Sequence, residues 1–116
     1  MIVALLLMAI ELPQLGTVGD LPPADNRAVL EIDHAGAMKL DGKELDFQAL
    51  LKRLPSYKKG TNFLLRVDKR LPFRAMLWVQ HALAVARFDR LFYAVRPING
   101  GQDGAFALFL PTDSSW

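Results

Sequence analysis

The stretch Phe63 to Val95, FLLRVDKRLPFRAMLWVQHALAVARFDRLFYAV, constrains the fold more than any other part of the chain. An apolar run, Phe63 to Val67, ends in the charged turn Asp68-Lys69-Arg70; Pro72 opens a segment through Arg87 with helical spacing and no internal Gly or Pro, and a second apolar run, Leu91 to Val95, follows. About 15 helical residues rise roughly 22 Å, and six or seven strand residues span roughly 20 to 23 Å. A helix of that length carries the chain back across a sheet and restarts a parallel strand by a right-handed crossover. The stretch predicts a βαβ unit. In its helix, Phe73, Met76, Leu77, Gln80, Leu83 and Ala84 form the expected inward stripe, and Trp78, Val79, Ala82 and Val85 supply a second apolar flank. A helix apolar nearly all round is buried on more than one side. The second side is covered by a neighbouring helix, by the N-terminal run, or by another subunit.

Upstream, Ala28 to Lys43 reads as a hairpin whose register follows from the sequence. With His34-Ala35-Gly36 as a three-residue loop and Gly36 left-handed, Asp33 faces Ala37, Ile32 faces Met38, Glu31 faces Lys39 and Leu30 faces Leu40. Apolar pairs then share one face and opposite charges the other, each pair contributing about 0.2–1 kcal/mol. A slip of one residue reverses the faces. Asp41-Gly42 marks the next turn. Asp46 is a good N-cap, and Phe47, Leu50, Leu51 and Leu54 follow on one face of a short helix that Pro55 ends. Downstream, Arg96 to Gly104 is turn-forming, and Ala105 to Leu110 can return as an antiparallel strand.

The first ten residues form an apolar segment. Ile2 to Ile10 covers only about 14 Å as a helix, under half of a bilayer core, and lacks the basic start and small-x-small end of a signal peptide. The end of a spanning helix, a buried strand and a disordered end remain open, and the following residues favour the first. Residues 11–27, rich in Pro, Gly and Asp, read as an extended linker; such a segment can add to a sheet edge, here or in a partner. Residues 28–110 then form the folded domain and 111–116 a flexible tail.

Charge is distributed unevenly. Glu11 to Asp46 carries a balance of −5, whereas Lys52 to Arg96 carries +9. Either the two halves neutralise each other in the fold, or a basic face meets an anionic partner. Catalytic chemistry is poorly represented. There is no cysteine, His34 and His81 lack metal-ligand spacing, and Ser56, Ser114 and Ser115 lie near turns or the tail without a nucleophile elbow. No phosphate loop or dinucleotide fingerprint occurs. The residues point to no catalytic group, no metal ligand, no cofactor and no enzyme.

Several segments together resemble the ExbD/TolR family of biopolymer transport proteins, in its periplasmic domain, over roughly Ile10 to Val95. They are Leu12-Pro13-Gln14 after an apolar stretch, LEIDHAG (30–36), LDGK (40–43), LLRVDKRLPF (64–73), a long helix and the LFYAV strand (91–95). The resemblance implies an α+β fold with two helices packed on one face of a small mixed sheet, in ββαβαβ order, to which the run Ala105 to Leu110 can add an extra C-terminal strand. It also implies a single-pass bacterial inner-membrane anchor, the globular domain in the periplasm, and a homodimer. Partners implied are an ExbB/TolQ-like channel protein and a TonB/TolA-like energy transducer or cell-wall polymer, with proton-motive force as the energy source.

The sequence departs from the family in three places. Ile2 to Ile10 contains no Asp, Ala86-Arg87-Phe88 stands where members often have Gly, and Ala105 to Leu110 is added. Candidate contacts are Glu11, Leu12, Pro13 and Gln14 for strand addition, and Arg70, Arg74 and Trp78 for a dimer or partner face. A small basic nucleic-acid-binding module is the alternative, and it predicts binding that falls steeply with salt. A stand-alone domain with its first ten residues in the core is a third.

Overall fold

A computed structural model describes residues 10–15, 19–97 and 102–110. Among these, seven strands form one mixed sheet: β1 (Gln14–Leu15), β2 (Arg27–Ile32), β3 (Met38–Leu40), β4 (Lys43–Leu45), β5 (Asn62–Val67), β6 (Arg90–Pro97) and β7 (Gly104–Phe109). The helices are α1 (Phe47–Arg53) and α2 (Phe73–Val85). β5 is central, parallel to β2 on one side and to β6 on the other. α2 joins β5 to β6, so the expected βαβ unit is present.

The hairpin takes the register set by its alternation: Leu30 lies opposite Leu40, Glu31 opposite Lys39 and Ile32 opposite Met38. Gly36 has φ 90°, and the Asp33 carboxylate accepts from the N–H groups of Ala35 and Ala37 at 3.0 and 2.9 Å. β4 is a further strand beyond the two-stranded hairpin expected. Asp41 and Gly42 are both left-handed, with φ 50° and 87°, which makes a two-residue hairpin turn returning Lys43–Leu45 along β3. Asp41 also accepts from the Val29 N–H and the Tyr57 hydroxyl. Burial and that carboxylate push the Tyr57 hydroxyl up to about 12.

Alternation puts Ala28, Leu30 and Ile32 of β2 and Phe63, Leu65 and Val67 of β5 on one face. Leu50 of α1 and Met76, Val79 and Leu83 of α2 pack on them in the main core. Both helices therefore lie on one face of a mixed sheet, the α+β arrangement expected. Asp46 caps α1 by accepting from the Ala49 N–H at 2.8 Å. The opposite face carries a smaller cluster in which Leu12 packs with Leu64, Ala94 and Ala105, so the segment before β2 folds back over the sheet. Gly19 reaches the outer rim of β7, where it exchanges two backbone hydrogen bonds with Ala105. A Cβ there would stand 3.0 Å from the Ala105 carbonyl oxygen. The run 105–110 is a full antiparallel partner of β6, from Arg90 opposite Phe109 to Val95 opposite Gly104.

The phase of α2 differs from the expected stripe. Phe73 and Leu77, predicted inward, are exposed, while Val79 and Ala82, assigned to the flank, are buried. Apolar residues on nearly every side leave the periodicity too little contrast to fix which side faces the sheet.

α2 ends in a Schellman motif. Phe88 donates its N–H to the Leu83 carbonyl and Arg87 to that of Ala84, with Arg87 left-handed at φ 73°. This is the helix end where Gly was missing from the family pattern. A Cβ in that conformation is unfavourable, so Arg87→Gly should stabilise the domain by about 0.5–1 kcal/mol. Urea unfolding should show a higher midpoint at unchanged slope; an unchanged or lower midpoint refutes this.

Candidate functional site

Two surface features gather the residues that the sequence singled out. The first is built on Asp68, which follows β5 and keeps its ladder with β2 through its N–H to the Ile32 carbonyl, 3.0 Å. Its side chain is fully buried. One oxygen accepts from the Arg70 N–H and Nε at 2.8 and 2.9 Å, and the other from an Arg70 terminal nitrogen at 2.7 Å and from the Glu11 N–H at 3.1 Å. These bonds, led by the Arg70 guanidinium, hold the Asp68 carboxyl well below the usual carboxylate range, and the same pair raises Arg70.

Glu11 is bound three ways at this turn. Its N–H meets Asp68, its carbonyl accepts from the Lys69 N–H at 2.7 Å, and its carboxylate faces Lys69 Nζ at 3.4 Å and Arg70 at 3.8 Å. The next residues continue along the sheet. Leu12 is buried, Pro13 accepts from the Arg96 N–H at 2.8 Å, and Gln14 pairs with Arg96 in parallel register. Thus the four strand-addition candidates lie against the chain's own sheet in this structure.

The second feature is the outer face of α2. Phe73, Leu77, Trp78 and Val85 are between 47% and 69% exposed, a cluster of apolar groups that water is poorly suited to cover. Trp78 stands between two grooves of about 420 Å³ each. One is lined by Ile32, Met38, Phe47, Leu71 and Val79; the other by Arg74, Leu77 and His81. The Phe47 ring meets Trp78 edge-on at 6.5 Å. Arg74 and Trp78 therefore share a groove, while Arg70 belongs to the Asp68 cluster.

Several basic side chains of the second half are tied to carboxylates. Arg66 pairs with Glu31 at 2.6 Å and Arg96 with Asp103 at 3.1 Å, besides the Glu11 and Asp68 pairs. The Glu31 and Glu11 pairs join the two halves, and this local neutralisation accounts for part of the uneven charge. Among the described residues no group of three or more His, Cys, Asp or Glu side chains could hold a metal ion, and no helix is long and apolar enough to cross a membrane. Residues 2–9, read as the end of a span, lie outside the described residues.

Asp68 was legible only as part of a charged turn. Its most informative partner, Glu11, is separated from it by 57 positions, beyond the reach of local pattern. The one available signal was an acid two places before an arginine at the end of an apolar strand.

Comparison with curated proteins and with solved structures finds no match. A family model described as biopolymer transport protein ExbD/TolR matches residues 2–97, which takes in both features and every strand but β7. The order of strands and helices and the extent of that match agree, and the chain belongs to the biopolymer transport protein ExbD/TolR family.

Proposed function

We propose that this chain is the coupling subunit of a proton-motive-force-driven complex in the bacterial inner membrane, passing energy from the membrane to an envelope partner. The family is one of non-enzymatic components of energy-transducing biopolymer transport complexes, working with ExbB/TolQ-type and TonB/TolA-type proteins. On this reading residues 28–110 are the periplasmic body, residues 11–27 the linker, and the apolar residues 1–10 the end of a single anchoring span. The body acts as a homodimer beside an ExbB/TolQ-like channel, and it engages a TonB/TolA-like transducer or cell-wall polymer. Glu11 to Gln14 offer strand addition when they leave their own sheet.

The observation that carries this reading is the family match over residues 2–97. The exposed face of α2 supports it, because a large apolar surface with a central Trp is typical of protein contact sites. The test is a photo-crosslinking side chain at position 78 of the full-length protein in cells that hold the intact complex. Adducts with a subunit of that complex are expected, and Trp78→Ala should lower co-purification about tenfold, the scale of a Trp hot spot. Adducts absent at position 78, with co-purification unchanged by Trp78→Ala, would remove α2 as the contact face.

A further inference from the structure

We infer that the outer face of α2 receives an acidic amphipathic helix of another protein, seated astride Trp78; this rests on the partner-contact reading above and names the chemistry of the partner. The charges around the face decide the sign. α2 contains no Asp or Glu from Phe73 to Val85. Arg74 has no carboxylate partner among the described residues and borders the same groove as Leu77, Trp78 and His81. Carboxylates on the adjoining turns have partners of their own: Asp68 and Glu11 pair with Arg70 and Lys69, and Asp33 and Asp46 accept from N–H groups of their own turns. A partner with carboxylates beside its apolar residues supplies the missing counter-charge.

The same charges argue against a second copy of this chain. A two-fold contact places one patch against itself, so two such faces would bring together two Arg74 side chains with no acid on either α2 to offset them. Shape specifies a helix. The first groove is walled by apolar side chains of the hairpin, α1 and α2, and an extended peptide laid there would leave its backbone N–H and C=O groups without partners. A helix satisfies its own backbone and presents apolar side chains at i, i+3, i+4 and i+7, which fill grooves on both sides of one Trp ridge.

The test uses two synthetic peptides of about 18 residues, long enough to sustain a helix. Both carry Leu at i, i+3, i+4 and i+7; Glu flanks the stripe in one and Lys in the other. Calorimetry against the full chain should show the Glu peptide binding at least about tenfold more tightly than the Lys peptide. Trp78→Ala should weaken it about tenfold or more, and Arg74→Glu should reverse the preference. Both positions lie on the outer face, and circular dichroism of each variant checks that the fold is kept.

Equal binding of the two peptides, no binding of either, or binding indifferent to both substitutions overturns the inference. So does a dimer in sedimentation that Trp78→Ala dissociates, because the occupant is then a second copy. If the crosslinker at position 78 captures a subunit while the Glu peptide fails, the coupling reading survives and the acidic helix does not. If both fail, α2 is not the contact face and the acidic helix falls with it.

Discussion

Asp68→Ala should lower the melting temperature by roughly 10 °C or more and open residues 10–15 to hydrogen exchange ahead of the rest of the sheet. The substitution removes the acceptor of the Glu11 and Arg70 N–H groups and the anion facing the Arg70 guanidinium. Removing the buried group that several partly buried donors converge on is among the more damaging changes a fold can suffer.

The pH dependence carries its own sign. The folded carboxyl titrates below the unfolded value of about 3.9, so its stabilisation is complete above that value and is lost as pH falls through the lower folded value. Wild-type stability should therefore drop on acidification below about pH 4, and the variant should lack this share of the slope. Asp68→Asn, which keeps the shape and discards the charge, should flatten the acid limb in the same way. Thermal melts followed by circular dichroism between about pH 7 and pH 2 measure both effects. A variant with wild-type melting and wild-type acid slope would contradict the account of Asp68.

Phe63→Ala should cost about 3–5 kcal/mol, a large part of the 5–15 kcal/mol or so that holds an ordinary domain together. Phe63 is fully buried on β5, with the Tyr57 ring edge-on at 5.3 Å and the Phe88 ring at 4.8 Å. Lys59 covers Phe88 from outside, and its ammonium donates to the Ala86 carbonyl at the end of α2. The trio joins the turn after α1, the central strand and the end of α2, so a cavity at Phe63 slackens three elements at once. Urea unfolding should show the loss as a lowered midpoint, or as a chain already unfolded at 25 °C. A loss below about 1 kcal/mol would mean that the neighbours close the space.

The sequence disclosed those parts of the fold that are coded locally. The hairpin register could be read because alternating side chains have one arrangement that sorts apolar from charged, and Asp46 because a cap lies beside the turn it satisfies. β4 escaped notice for want of length: Lys-Glu-Leu has no apolar run, although the Asp-Gly before it signals a hairpin. The phase of α2 was not readable from a helix with Phe73, Leu77, Trp78 and Val85 on one side and Met76, Val79 and Leu83 on the other. Arg74 and Trp78 could be named as surface candidates, but their shared groove depends on Phe47 and Met38, which arrive from other elements. Arg70 was singled out for a partner and is held by Asp68 and Glu11. Only the folded chain brings that trio together.

The clamp on Glu11 also determines where tension enters the molecule. A pull on the chain before residue 10 first meets the bonds from Glu11 to Asp68 and Lys69, then the pairing of Gln14 and Leu15 with the end of β6. The load path therefore runs straight into the middle of the sheet, through β5 and β6. The pairing of Gly19 with Ala105, further along the chain, takes up load only after those bonds part.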